Sequence, residues 1–177
     1  MSNKRRVMVT IHHRDEMSLG ENRSRLGYEA FHWGILIAPK GSKGPDCTAY
    51  DVSDGAIPDP NTRQDLNPER NWFFRPKERV DPIRSGRLIG RVLIGKVPNH
   101  ISDAQIQTIL VAVPLPIKNT TESCVTWTSA AIRSLQNNGI AKQFDIDRFM
   151  GRALTLADEW LAKPKSDNLY DYTRTFS

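Results

Sequence analysis

The sequence predicts an α+β fold in which a small antiparallel β-sheet packs against about three helices. Two observations predict it. Apolar runs of strand length cluster between residues 7 and 96, and apolar residues at helical spacing cluster between residues 102 and 162. Strands alternating with helices would instead indicate a parallel sheet. A third observation sets the size: 177 residues, 38% hydrophobic and 25% charged, suit one compact core rather than a disordered chain.

The first strand is expected over Val7 to His13, where Val7, Val9 and Ile11 alternate with Met8, Thr10 and His12. A polar stretch, Arg14 to Gly27, follows it. Phe31-His32-Trp33-Gly34-Ile35-Leu36-Ile37-Ala38 is a near-continuous apolar run of strand length, closed by the Pro- and Gly-rich segment Pro39 to Pro45. Thr48 to Ser53 reads as its hairpin partner. Asp54 to Pro68, with three prolines, is a loop, and Trp72 to Arg75 and Arg87 to Ile94 supply further strands.

From Ser102 the period changes. Ile106, Ile109, Leu110 and Val113 recur at helical spacing behind a Ser-Asp start, until Pro114 and Pro116 end the helix. A second helix runs from about Ser123 to Asn138, with Cys124, Trp127, Thr128, Ala131, Ile132 and Leu135 on one face and Asn-Asn-Gly as its stop. In the third, Asp145 is the N-cap for Ile146, Phe149, Met150, Ala153, Leu154, Ala157, Trp160 and Leu161. The organisation expected is one α+β domain over residues 1–165 and a flexible C-terminal tail, 166–177.

No run approaches the about 18 to 20 apolar residues of a membrane span, and the start Met-Ser-Asn-Lys-Arg-Arg-Val lacks the apolar stretch of an export signal. A cytoplasmic location is therefore expected, with Cys47 and Cys124 as free thiols. The formal charge is +5, from 25 Lys and Arg against 20 Asp and Glu. Residues 1–62 and 101–177 are each balanced, eight against eight, so the whole excess lies between Arg63 and Lys96, nine basic against four acidic. Arg70 and Arg75 flank Trp72, Phe73 and Phe74 there, but no nucleic-acid motif frames them, and a nucleic-acid partner is not expected. An anionic small molecule or peptide fits the same charge.

Glycine-rich phosphate loops, His-Glu-x-x-His and Gly-x-Ser-x-Gly are absent from the sequence. Without paired Cys or His spacing, neither a metal site nor a cofactor is expected. What remains is Cys124 in the first turn of an amphipathic helix, where unpaired amides and the helix dipole favour the thiolate, the form that attacks carbonyl carbon. Such a thiol needs an imidazole as ion-pair partner and proton carrier. His32, opening the apolar strand Trp33 to Ala38, is the best candidate.

His-Trp-Gly-Ile-Leu-Ile early in the chain, followed by a second strand, and a Cys opening an apolar and aromatic helix late in it, resembles the circularly permuted NlpC/P60 group of papain-like thiol proteins, which includes the lecithin retinol acyltransferase-like enzymes. The resemblance covers mainly residues 31–54 and 121–135. It implies a papain-like permuted topology with Cys124 as nucleophile and His32 as general base, and a third polar residue on the next strand that orients the imidazole. A hairpin turn centred between Ser42 and Lys43 would set His32 opposite Ser53, with Asp51 next on the same face. As a carboxylate, Asp51 is the first choice and Ser53 the second; a one-residue slip would select Tyr50 or Val52. Ser123 stands where many members have Asn, and the sequence lacks the C-terminal apolar anchor of the membrane-bound acyltransferases, which counts against lipid substrates.

The function expected is a thiol-dependent hydrolase or acyl transferase acting on an amide, ester or thioester. Trp33, Trp72, Trp127 and Arg75 are its candidate substrate-binding residues. Cys124 also shares the apolar stripe of Trp127, Ala131 and Leu135, however, and free cysteine is among the most buried residue types. A non-catalytic binding or scaffold protein is therefore an alternative, as is a cyclase or isomerase of small-molecule biosynthesis using the same pocket.

Overall fold

The computed structural model describes residues 4–176; the first three residues of the basic start and Ser177 of the tail lie outside it. Its six-stranded sheet comprises β1 (Arg6–His13), β2 (Phe31–Ala38), β3 (Cys47–Ser53), β4 (Phe73–Val80), β5 (Leu88–Lys96) and β6 (Leu169–Asp171), in the spatial order β4-β3-β2-β1-β5-β6. All neighbouring pairs are antiparallel except β5 with β6. The sheet is therefore mixed, not purely antiparallel as expected. Four helices accompany it: α1 (Gly20–Leu26), α2 (Asp103–Val111), α3 (Cys124–Asn137) and α4 (Ile146–Ala162). Among the described residues no helix is long and apolar enough to cross a membrane.

Strand alternation divides the sheet into two faces. Val7, Val9 and Ile11 of β1, Phe31, Trp33 and Ile35 of β2, and Tyr50 and Val52 of β3 are buried in the main core with the apolar faces of α3 and α4. Each such side chain gains roughly 1.5–3 kcal/mol on leaving water. The intervening residues, among them Met8, Thr10, Leu36 and Ala49, face the other way.

That second face is crossed by the connection between β4 and β5. Because β5 lies beyond β3, β2 and β1, residues 81–87 must traverse all three strands. They do so with a 3-10 turn at Pro82–Arg84, capped by Asp81, whose side chain accepts a hydrogen bond from the Ile83 amide. Pro82, Ser85 and Leu88 close a cavity of about 110 Å³ over Thr10, Gly34 and Leu36.

Three features depart from the sequence reading. The polar stretch after β1 contains α1, which buries no side chain and so leaves no amphipathic signal. β4 runs on through Pro76 to Val80, a proline being tolerated because the strand lies on the sheet edge. The tail read as flexible instead adds β6 to the opposite edge, and its Tyr172, 7% exposed, packs edge-on against Phe144 and Phe149. A three-residue strand is too short to show alternation.

At Gly95 the sheet lies close against the backbone that follows α3. A Cβ there would lie 2.3 Å from the Ile140 carbonyl oxygen and 2.8 Å from Ala141 Cα, both backbone atoms. Gly95→Ala should therefore destabilise the fold by about 1–3 kcal/mol. The expected reading is a lower denaturant midpoint at unchanged slope, with Gly41→Ala, which meets open space, as the unaffected control.

Candidate functional site

The site begins with alternation. Phe31 and Trp33 are wholly buried in the core, so His32 between them points to the opposite face; Tyr50 and Val52 do the same for Asp51. β2 and β3 pair with Ile35 opposite Tyr50, the register of a turn centred between Ser42 and Lys43. Gly34 leaves room between them: a Cβ there would lie 3.2 Å from Asp51 Cβ. Asp51 Oδ2 consequently reaches His32 Nε2 at 2.8 Å.

From the other side Arg75, the cross-strand partner of Asp51 on β4, closes a bidentate pair. Its Nε donates to Oδ1 and its Nη2 to Oδ2, each at 2.8 Å. Burial alone would raise the Asp51 carboxyl, but Arg75 and His32 outweigh it and hold it well below the usual carboxylate range.

Cys124 is the first residue of α3. The Ser123 side chain caps the helix by accepting from the Val125 amide, and the Ser123 amide in turn donates to Thr126 Oγ1. The Ser123 hydroxyl also donates to Glu29, which precedes β2 and lies 3.9 Å from Arg14. The helix start is thereby tied to the strand that carries His32. Burial pushes the imidazole down, but the hydrogen bond to Asp51 and contact with the Cys124 sulfur overcome it and raise His32 to about 9. With Nε2 engaged by Asp51, Nδ1 is the ring nitrogen left for the sulfur.

His12 lies directly across from His32 on β1, with ring centroids 5.8 Å apart. Burial first and the charge on His32 second lower it to about 4. Two imidazoles side by side are thus pushed in opposite directions, His32 toward the charged form and His12 toward the neutral one.

These groups line an open cleft of about 570 Å³, with Trp72, Ser53, Asp54, Lys77 and Arg87 among its other walls. A larger groove, about 700 Å³, lies beside Cys47, Glu78 and α2. Burial and the neighbouring Asp46 push the Cys47 thiol up, while Ser42 opposes them only in part. A neutral thiol without an imidazole is a poor nucleophile, so the smaller cleft, with Cys124 and His32, is the candidate site.

Of the residues singled out in the sequence, Cys124, His32, Asp51, Ser53, Trp72 and Arg75 come together around this cleft. Ser53 does not meet the imidazole: its hydroxyl accepts from the Gly55 amide and shapes the turn after β3. Trp33 and Trp127, expected to contact substrate, are 0% and 1% exposed and belong to the core. Strand alternation excludes Trp33 from His32's face, and Trp127 packs against Phe74 beneath the sheet. The sequence reading missed Glu29, which carries no motif, and His12, which alternation along β1 would have put on the face of His32. Among the described residues no group of three or more His, Cys, Asp or Glu side chains is arranged to hold a metal ion.

The chain belongs to a family of unknown function, DUF6914, whose model matches residues 4–171. No curated protein and no solved structure matches it.

Ring-nitrogen NMR should find His32 charged and His12 neutral near neutral pH, His12 gaining its proton only near pH 4 and His32 losing its own only near pH 9. His32 is raised in the folded state, so its stabilisation is complete below the ordinary value of 6.5 and is lost as pH rises through about 9. His12 is depressed and acts in the other window, lowering stability as pH falls from 6.5 toward 4. Asp51→Asn should bring the His32 midpoint well below about 9; an unmoved midpoint would show that the carboxylate does not hold the proton.

Proposed function

We propose that this chain is a thiol-dependent hydrolase or acyl transferase acting on an amide, ester or thioester. The observation that carries the reading is the imidazole of His32, bound by Asp51 at Nε2 and kept charged by Asp51 and the Cys124 sulfur together, with all three groups lining one open cleft.

In the proposed reaction the Cys124 sulfur attacks the substrate carbonyl carbon, and the carbonyl electron pair moves onto oxygen. Amides of the first turn of α3, which have no acceptor within the helix, stabilise that oxyanion. As the intermediate collapses, the leaving group departs with the proton from His32, and a thioester remains on Cys124. The neutral imidazole then takes a proton from water in hydrolysis, or from an alcohol or amine in transfer, as that acceptor attacks the thioester. Product leaves and the sulfur regains its charge beside a protonated His32.

Arg75 is a positioning residue in this scheme. By sharing the charge of Asp51 it lets the carboxylate orient the ring without holding the proton so tightly that His32 could not donate it. The His at a strand start and the Cys at a helix start support kinship with the permuted NlpC/P60 group. Both cysteines are free, which suits the cytoplasmic location expected from the sequence. One observation favours a second reading, a binding protein with an inert thiol: Cys124 is only 4% exposed.

An activated ester separates the two. With p-nitrophenyl acetate, stoichiometric nitrophenol release and an acetyl group on the Cys124 peptide are expected. Cys124→Ala should abolish the acetylation, and His32→Gln should slow it about 100-fold or more. Acetylation that is equally fast in His32→Gln, or that falls on other residues, would favour the binding protein.

A further inference from the structure

Part of the basic segment between Arg63 and Lys96 faces the cleft. Arg75, Lys77 and Arg87 all line it, the first two from β4 and the third from the crossing connection. Their charges are committed to different degrees. Arg75 is bound to Asp51 through two nitrogens. Arg87 reaches Asp15 at 3.1 Å, but both side chains are well exposed, 65% and 70%, so that pair is weak. Lys77 has no ion-pair partner among the described residues, although its charge is felt at His12.

The cleft's carboxylates do not answer Lys77. Asp51 is engaged by Arg75 and His32, and Glu29 by Ser123 with Arg14 nearby. Asp54, exposed after β3, is the remaining one. Lys77 follows Arg75 by two positions on β4 and so stands on the face of Asp51 and His32. Beside it stands His12, itself a cleft residue, whose neutral ring carries one N–H donor and whose own protonation is opposed by burial first and then by the positive charges of His32, Lys77 and Arg75.

We infer that the cleft selects acyl substrates that carry an anionic group, a carboxylate or a phosphate, seated against Lys77 with a hydrogen bond from His12. The inference rests on the thiol reading above and adds the substrate class. Part of the basic excess thereby acquires a use: Lys77, with Arg87 nearby, draws an anion toward Cys124 and penalises cationic substrates.

A matched pair of reagents tests it. Iodoacetate and iodoacetamide alkylate a thiolate by the same displacement of iodide and differ in charge. Their second-order rates at Cys124, read by peptide mapping at low salt, should favour iodoacetate in the wild type. Lys77→Gln should lower the iodoacetate-to-iodoacetamide ratio by about three- to tenfold, and added salt should lower it further in the wild type than in the variant. Lys96→Gln, the same charge loss on an exposed residue at the far end of β5, should keep the wild-type ratio. Protection by inorganic phosphate or by acetate, whichever is stronger, then tells which anionic group the seat prefers. A ratio unmoved by Lys77→Gln, or lowered equally by Lys96→Gln, would overturn the inference while leaving a reactive thiol. Alkylation by both reagents no faster than that of a free thiol would remove the thiol reading itself, and the inference with it.

Discussion

The Asp51 carboxylate is the interaction on which the site depends. An anion buried to this extent persists only when its charge is answered by well-placed donors. Arg75 answers it from β4 and His32 from β2, each at 2.8 Å. One carboxylate therefore joins three adjacent strands by their side chains, on the face that the helices do not cover. A one-residue slip of either strand would send Asp51 into the core or take away one of its partners. The register of the sheet and the orientation of the imidazole are thus fixed by one electrostatic requirement.

The nucleophile arrives from the other side. α3 packs on the apolar face of β2 and β3, and its first residue reaches the end of the sheet where His32 opens β2. The bond from the Ser123 hydroxyl to Glu29 ties that helix start to the segment entering β2, so helix and strand cannot shift independently. Opposite them, the connection from β4 to β5 crosses the second face and brings Ser85 and Arg87 over the cleft. The cleft is the junction of three parts of the chain that are distant in sequence.

Much of this was legible in the sequence because it depends on local rules. Period-two alternation in Val7 to His13, the apolar run Phe31 to Ala38, the Ser-Asp start at Ser102 and the cap Asp145 are read directly from residue order, and the structure has those strands and helix starts, with Ser123 as a further cap. The β2–β3 register followed from one assumed turn centre and brings Asp51 to His32. What was not legible depends on long-range packing. Nothing local distinguishes Glu29 from other polar residues, and β6 acquires its pairing only because β5 presents a free edge. Trp33 and Trp127 were misplaced for a related reason: sequence proximity to a reactive group does not decide which side of a sheet a ring occupies. The basic excess, legible as a segment, became informative only once the crossing connection showed where Arg75, Lys77 and Arg87 point.

The central claim is that Cys124 and His32 act as one coupled pair. The most direct measurement is the ring-nitrogen NMR titration of His32 in Cys124→Ala beside the wild type. Removing the sulfur should lower the His32 midpoint from about 9 toward the ordinary 6.5, because the sulfur is one of the two partners that raise it. A midpoint that stays where it is in the wild type would show that Asp51 alone keeps the imidazole charged, and would contradict the pairing on which the proposed chemistry rests.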